Sequence, residues 1–244
     1  MLPYFDTIKS LLDQAERVNA ETIAVCARKL ADSLAQGGVL HAFGTGHSHV
    51  LAEELFHRAG GLVPVNAMLD ARLMLHEGTM AATLTERLPG YAEAILSRYS
   101  LQADEVIIIA SNSGRNAVTI DMALAVRAKG LTVIALTSVT HSASQSSRHP
   151  SGKRLYEVAD HVLDNCGVIG DAALSLPGLD AKLGATSTVI GCALLQSLVY
   201  ATAELLQARG IEPPILMSSN VGAAEADARN DQLIEHYRQR ITHL

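Results

Sequence analysis

The stretch that most constrains this chain is Glu105-Val106-Ile107-Ile108-Ile109-Ala110-Ser111-Asn112-Ser113-Gly114-Arg115-Asn116. An apolar, β-branched run ends abruptly in hydroxyls, amides and a glycine, and residues 117–129 then carry a helical pattern. Continuous Val and Ile read as a strand buried on both faces of a parallel sheet. Where such a strand feeds a polar turn and then a helix, the first helical N–H groups have no intrahelical partner and the macrodipole is positive. That combination favours an anion. Ser111, Ser113 and Asn116 add side-chain donors, so the segment reads as a phosphate cradle. A helix merely capped by Ser or Asn is the plainer alternative.

The turn is not a Walker loop. It lacks the Gly-x-x-x-x-Gly-Lys-Ser/Thr spacing, has no lysine where loop meets helix, and is not Gly-x-Gly-x-x-Gly either. The same grammar occurs once more. Residues 38–43 form a short β-run, Gly44-Thr45-Gly46-His47-Ser48 follows, and residues 49–58 continue as a helix. Gly44 and Gly46 permit a tight turn and close backbone approach, while Thr45, His47 and Ser48 supply donors. Two such units predict two loops at the carboxyl edge of one parallel sheet, where open α/β folds bind ligands.

Taken in order, these motifs resemble those of the SIS (sugar isomerase) domain proteins, which bind phosphosugars. Gly44-Thr45-Gly46-His47-Ser48 matches their Gly-x-Gly-x-Ser turn, and Ser111-Asn112-Ser113-Gly114-Arg115-Asn116 matches their Ser-x-Ser-Gly-x-Thr/Asn turn. Residues 131–138 match the third strand, and Thr186-Ser187-Thr188 opens a long apolar helix over residues 189–206. The resemblance covers about residues 30–210 and is most similar to a small bacterial stand-alone branch, distantly similar to the phosphoheptose isomerases. It implies an α/β fold: a three-layer α-β-α sandwich with a mostly parallel five-stranded sheet, flavodoxin- or Rossmann-like. It implies one domain over residues 1–244, with an N-terminal helical extension (about 1–36) and a C-terminal helix (about 223–242). By the same resemblance, Ser111, Asn112, Ser113 and Asn116 hold the phosphate. Gly44, Thr45, Gly46, His47, Ser48, Thr186 and Ser187 contact the rest of the substrate.

Composition narrows the classes. A length of 244 residues fits one large or two small domains, and the lack of a linker favours one. Such a chain can bury a substantial core without staples. The formal net charge of −6 argues against nucleic acid as a partner. One local basic cluster, Arg148, His149, Lys153 and Arg154, reads as a solvated loop or as a clamp for an anionic substrate. Cys26, Cys166 and Cys192 lack Cys-x-x-Cys spacing, which suggests a reducing compartment without structural zinc. Residues 1–10 lack the basic and apolar regions of a signal peptide. A cytoplasmic location is expected. Residues 183–203 are uncharged, which raises a membrane span. Their seven Thr, Ser, Gln and Tyr residues make a buried helix the expectation instead.

Helical spacing of Ile8, Leu11, Leu12, Ala15 and Val18, then of Ile23, Val25, Ala27, Leu30 and Leu34, predicts a helix pair or one long helix. Residues 62–66 and 158–163 read as short strands. Residues 70–76 read as helical, followed by a Gly/Thr stretch and then residues 86–98, broken by Pro89-Gly90. Residues 138–152 form a serine-rich loop of a length associated with function or mobility. Residues 167–184 are punctuated by Gly and Pro and are expected near the ligand.

Aldose–ketose isomerisation needs a carboxylate or histidine to move a proton between adjacent carbons, and an acid/base to open the ring. Glu53 and Glu54 stand four and three residues before His57, so on a helix either pair shares a face. Ala52-Glu53-Glu54-Leu55 resembles a stretch of the phosphoheptose isomerases in which a glutamate is base and metal ligand, with Glu54 at the matching position. Val50 stands where those enzymes have a histidine, with His49 one residue off. A solvated ion-pair face is the alternative. Glu77 and Glu86 form a second set, because superfamily members place a catalytic carboxylate in the segment before the central strand. Glu54, Glu86 and His57 are therefore the catalytic candidates. His41 reads as core, and His47 as the histidine best placed to touch ligand. His47 and His49 lack a third ligand, so no metal or other cofactor is expected, with zinc as the alternative. Lys182 reads as a phosphate partner or as exposed.

The function expected is isomerisation of a phosphorylated sugar. A phosphosugar lyase or etherase and a non-catalytic phosphosugar sensor are the alternatives. ATP and NAD are disfavoured by the missing Walker lysine, third glycine and ribose-binding acid. The resemblance further implies a homodimer or tetramer, and no membrane partner.

Overall fold

The structure, a computed structural model, describes residues 2–218, 224–241 and 243–244. The chain begins with α1 (Pro3–Ala35), a single helix. Its two apolar halves join through Asn19, which is 1% exposed. The Asn19 Nδ2 donates to Ala15 O at 2.7 Å and to Asp164 O at 2.8 Å, and its Oδ1 accepts from Asp164 N–H at 2.8 Å. A buried amide so placed is satisfied by an edge strand, and the helix runs through it.

Next come β1 (Leu40–Gly44), α2 (His49–Leu55) and β2 (Val65–Met68). Two short helices follow, α3 (Thr79–Thr85) and α4 (Tyr91–Leu96), and then β3 (Val106–Ala110), α5 (Ala117–Ala128) and β4 (Thr132–Thr137). Beyond these lie α6 (Val139–Ala143), α7 (Leu155–Val158) and β5 (His161–Asp164). A two-stranded antiparallel ribbon, β6 (Ala172–Leu174) and β7 (Leu183–Ala185), precedes α8 (Ser187–Ala208). The last helix is α9 (Ala224–Tyr237).

The main sheet has five strands in the order β2-β1-β3-β4-β5, with every pair parallel. Successive side chains of a strand point to opposite faces, and two cores result. Leu40, Ala42, Val106, Ile108, Ile134 and Leu136 pack under α1, α2 and α8. Phe43, Ile107, Ile109, Val133 and Ala135 pack under α4, α5 and α7. This is the three-layer α-β-α sandwich expected. The apolar α8 is long enough to cross a membrane by composition, but here Ile190, Leu194, Leu195 and Leu198 are buried in the first of these cores.

Several boundaries differ from expectation. The β-run expected at 62–66 is displaced, with β2 at Val65–Met68. The strand expected at 158–163 begins only at His161, because residues 155–158 close a turn of helix. The Gly/Thr stretch is helical (α3), and the serine-rich loop opens with α6. Most consequential, α2 stops at Leu55 instead of running to 58. Phe56 is extended and His57 has φ 45°, because residues 60–61 are drawn into backbone bonds with Leu216 at 2.9 Å. Expected helix limits 223 and 242 lie outside the described residues.

Candidate functional site

Strands β1 and β3 are neighbours, and their last residues, Gly44 and Ala110, are paired. From β1 the chain winds outward to β2, then returns to the opposite side for β3. Such a reversal opens a crevice at the carboxyl ends of the strands. Both polar turns lie there.

The first turn folds flush against its strand. A Cβ on Gly44 would stand 2.4 Å from the Ser48 carbonyl oxygen, so only glycine fits. Gly46 has φ +56°, which also suits glycine. The Thr45 Oγ1 donates to Glu86 Oε2 at 2.9 Å. The second turn is pinned from within, its Gly114 N–H donating to Ser111 Oγ at 3.1 Å. Thr137 Oγ1 donates to the Asn112 carbonyl at 3.1 Å, and Asn165 Nδ2 donates to Asn112 Oδ1 at 2.9 Å. This orients the Asn112 carboxamide and leaves its Nδ2 uncommitted among the described residues. Asn116 caps α5 by position but not by side chain. Its Oδ1 accepts from Arg148 Nη1 at 3.0 Å. Ser113 makes no side-chain hydrogen bond among the described residues and is half-buried.

Between the turns lies a cleft of about 280 Å³. Thr45, Gly46, His47 and Ser48 line one side, and Ser111, Asn112, Ser113 and Asn116 the other. Glu86, at the end of α3, stands on the rim with Ala82 and Thr83. A recess of about 20 Å³ continues between Ser48, Asn112, Asn165, Ser187 and Thr188. The structure thus brings together the two expected turns, Glu86 and Ser187. Thr186 is fully buried. Asp171 organises the start of α8 instead, accepting from Thr186 N–H at 3.1 Å, Ser187 N–H at 2.9 Å and Ser187 Oγ at 2.7 Å.

Other candidates stand apart from this lining. With α2 ended at Leu55, His57 no longer shares a helical face with Glu53 or Glu54, and it is exposed beside the Phe56 ring. Glu54 accepts from Gln196 Nε2 at 3.0 Å and is ion-paired with Arg58. Glu77 is exposed beside His76, and Lys182 is exposed. His41 is fully buried in β1, as its strand position suggested. His49 turns its Nδ1 onto the Gly46 carbonyl, and its Nε2 lies 3.9 Å from Glu53. Among the described residues no three His, Cys, Asp or Glu side chains are grouped to hold a metal ion.

The basic cluster is tethered to the site. His149 Nε2 meets Asp121 Oδ1 at 2.8 Å, and Arg154 Nη1 donates to the Ala143 and Gln145 carbonyls at 3.1 Å. Partial desolvation, then Arg115 and Arg87, lower the Arg148 guanidinium below its usual range against the opposing pull of Glu86. Sequence reasoning missed His141, Asn165 and Asp171. His141 lines the cleft and accepts from Gly170 N–H at 3.3 Å. Asn165 carried a legible signal, since it is a polar residue directly after β5, repeating the pattern at β1 and β3. Nothing local marks Asp171.

The pattern that describes the SIS domain matches residues 3–138. A UPF0309 protein of Geobacillus thermodenitrificans is 41% identical over 238 residues, covering 98% of this chain and 95% of that one. A UPF0309 protein of Listeria monocytogenes serotype 4b is 42% identical over 238 residues, covering 98% and 96%. Among solved structures, a phosphoheptose isomerase from Francisella tularensis superposes with a TM-score of 0.55 at 16% identity, covering 83% of this chain and 95% of that one. At that identity the likeness is one of fold. With the five-stranded parallel sheet and both polar turns in place, the chain belongs to the SIS domain family.

Proposed function

We propose that this protein binds a phosphorylated sugar at the β1–β3 crevice and catalyses its aldose–ketose isomerisation, with Glu86 as the base. The observation that carries this reading is the Thr45–Glu86 bond of 2.9 Å, which fixes a carboxylate in the cleft that Ser113 also lines. The second turn is a rigid frame with open donors, suited to a phosphate. The phosphosugar ligand of the SIS family and the isomerase fold neighbour support the same choice.

In this mechanism the phosphate anchors the substrate through Ser111, Asn112, Ser113 and Asn116. Remote anchoring supplies binding energy that orients the reacting carbons. Glu86 as carboxylate removes the proton from the carbon beside the aldehyde, giving an enediol(ate). It returns that proton to the former aldehyde carbon as a proton moves between the two oxygens. His47 and His141 are within the lining to open the ring and relay that oxygen-bound proton. Glu86, rather than Glu54, takes the base role because Glu54 is turned toward Gln196 and Arg58. Isomerisation ranks ahead of elimination because Glu86 is the one carboxylate lining the cleft among the described residues. The reading requires no redox cofactor, and we place the protein in the cytoplasm, where phosphosugars are held.

The test is solvent exchange. Incubated with aldose phosphates in deuterium oxide, the protein is expected to wash deuterium into the carbon beside the carbonyl of one of them and to form the ketose. Glu86→Gln is expected to stop both. Release of an eliminated group in place of a ketose would point to the lyase, and binding without exchange to the sensor.

A further inference from the structure

Three arginines stand beside Glu86 and Asn116, two residues of the cleft lining, without lining the cleft themselves. Arg87 follows Glu86, whose carbonyl accepts from Val118 N–H at 3.2 Å in the first turn of α5. Arg115 immediately precedes Asn116. Arg148 arrives from the loop after α6. Its backbone N–H donates to the Arg115 carbonyl at 2.8 Å and its Nη1 to Asn116 Oδ1 at 3.0 Å. The His149–Asp121 contact of 2.8 Å holds that loop against α5.

The Arg115 and Arg148 guanidinium groups are positioned by neutral partners. Arg115 Nη1 donates to Gln145 Oε1 at 3.1 Å, while Arg148 uses Asn116. Eight other arginines sit within ion-pair distance of carboxylates; Arg87, Arg115 and Arg148 do not, nor do Arg17, Arg28 and Arg72, among the described residues, but only the first three act on one another beside the cleft. The Arg115 Nε is buried and meets no acceptor among them. Arg87 and Arg115 both act on Arg148 as like charges, and Glu86 is the acid that acts on it. Three like charges with one nearby carboxylate, Glu86, leave a net repulsion. An anion set among them relieves that repulsion, and the planar guanidinium suits bidentate contact with phosphate or carboxylate.

We propose that the substrate is a sugar with two anionic groups: a phosphate at the turn of Ser111 and Ser113, and a second phosphate or a carboxylate met by Arg87, Arg115 and Arg148. This rests on the phosphosugar reading above and narrows its substrate class. Asn116, to which Arg148 donates, lines the same cleft as Ser111 and Ser113, and on this proposal one ligand reaches from those serines past Asn116 to the arginines.

Calorimetric titration of the full chain with glucose phosphate, fructose bisphosphate and phosphogluconate tests the idea. At low salt, at least one doubly anionic probe is expected to bind about tenfold tighter than glucose phosphate. That ratio should shrink toward one at high salt, and also in a variant combining Arg115→Gln and Arg148→Gln. If that variant does not fold, Arg87→Gln, at an exposed side chain, reads the same ratio. Equal binding of all three probes by the unaltered protein, or an unchanged ratio in a folded variant, overturns the second anion site and leaves the phosphosugar reading standing. Failure of every probe to bind the unaltered protein sinks both.

Discussion

Strands β1 and β3 carry polar groups at both ends, arranged in opposite ways. Near their N-terminal ends, Glu105 is 2% exposed and its carboxylate is saturated. Oε1 accepts from Val39 N–H at 3.0 Å and Arg240 Nη2 at 2.5 Å, and Oε2 from Gln102 N–H at 2.8 Å and His41 Nε2 at 3.0 Å. At the carboxyl ends, Ser113 and the Asn112 Nδ2 face a cleft with their capacity unspent. Buried polar groups are ordinarily paired. The saturated Glu105 carboxylate marks a structural joint, tying the segment after α9 to the sheet although the His41 Nδ1 and Arg240 Nε of that joint meet no partner among the described residues, and the open turn beside the cleft marks a place for a ligand.

The sharpest test separates the two ends by what is lost. Glu86→Gln is expected to lower turnover by about 10²–10⁴-fold while the melting temperature barely moves, because a glutamine oxygen can still accept from Thr45. Turnover that survives would place the base elsewhere.

Glu105→Gln should do the reverse. Breaking a buried pair costs about 3–5 kcal/mol, readable by denaturant titration, with phosphosugar affinity retained in the folded fraction. The pH dependence follows from the same contacts. Burial raises the Glu105 pKa, but donors from His41, Gln102 and Val39 outweigh it and leave the group below its ordinary value. Its stabilisation is thus full above the unfolded value of about 4.3 and lost as pH falls through the lower folded value. The acid-side drop in melting temperature should be smaller in Glu105→Gln. An unaltered acid profile would remove Glu105 from that role.

Ser113→Ala probes one open donor. A hydrogen bond to a charged group contributes about 1.5–3 kcal/mol, so phosphosugar affinity should fall by about 10–100-fold with little change in stability. Loss of fold in this variant would mean that the second turn is a structural joint too. The smallest effect is expected at Glu54→Gln, since the Arg58 pair is at the surface. Stability should change by less than about 0.5 kcal/mol and turnover should hold. A fall matching that of Glu86→Gln would move the base to α2.

Legibility followed the range of the interactions. The β3 run and its serine turn were readable because five apolar residues and a Ser-Asn-Ser-Gly turn declare themselves locally. The continuous apolar run also read as a strand buried on both faces, as β3 is. By contrast, α3 was missed because Gly78 and three threonines, Thr79, Thr83 and Thr85, are weak helix formers. It forms where Glu86 N–H bonds Ala82 O at 3.0 Å and the Glu86 carbonyl meets α5. Helix α2 was read too long because Leu216, far along the chain, draws residues 60–61 away.

The amino-acid order by itself determined the parallel α/β class, the two polar turns, and the glycines that those turns require at 44 and 46. These depend on periodicity, chirality and contacts within a few residues. Only the tertiary structure decided which carboxylate faces the cleft, that Asn165 orients Asn112 across 53 residues of sequence, and that Arg148 reaches Asn116 across 32. Hydrogen bonds of about 3 Å between distant residues depend on strand order and helix placement. No local pattern records where those bring two side chains together.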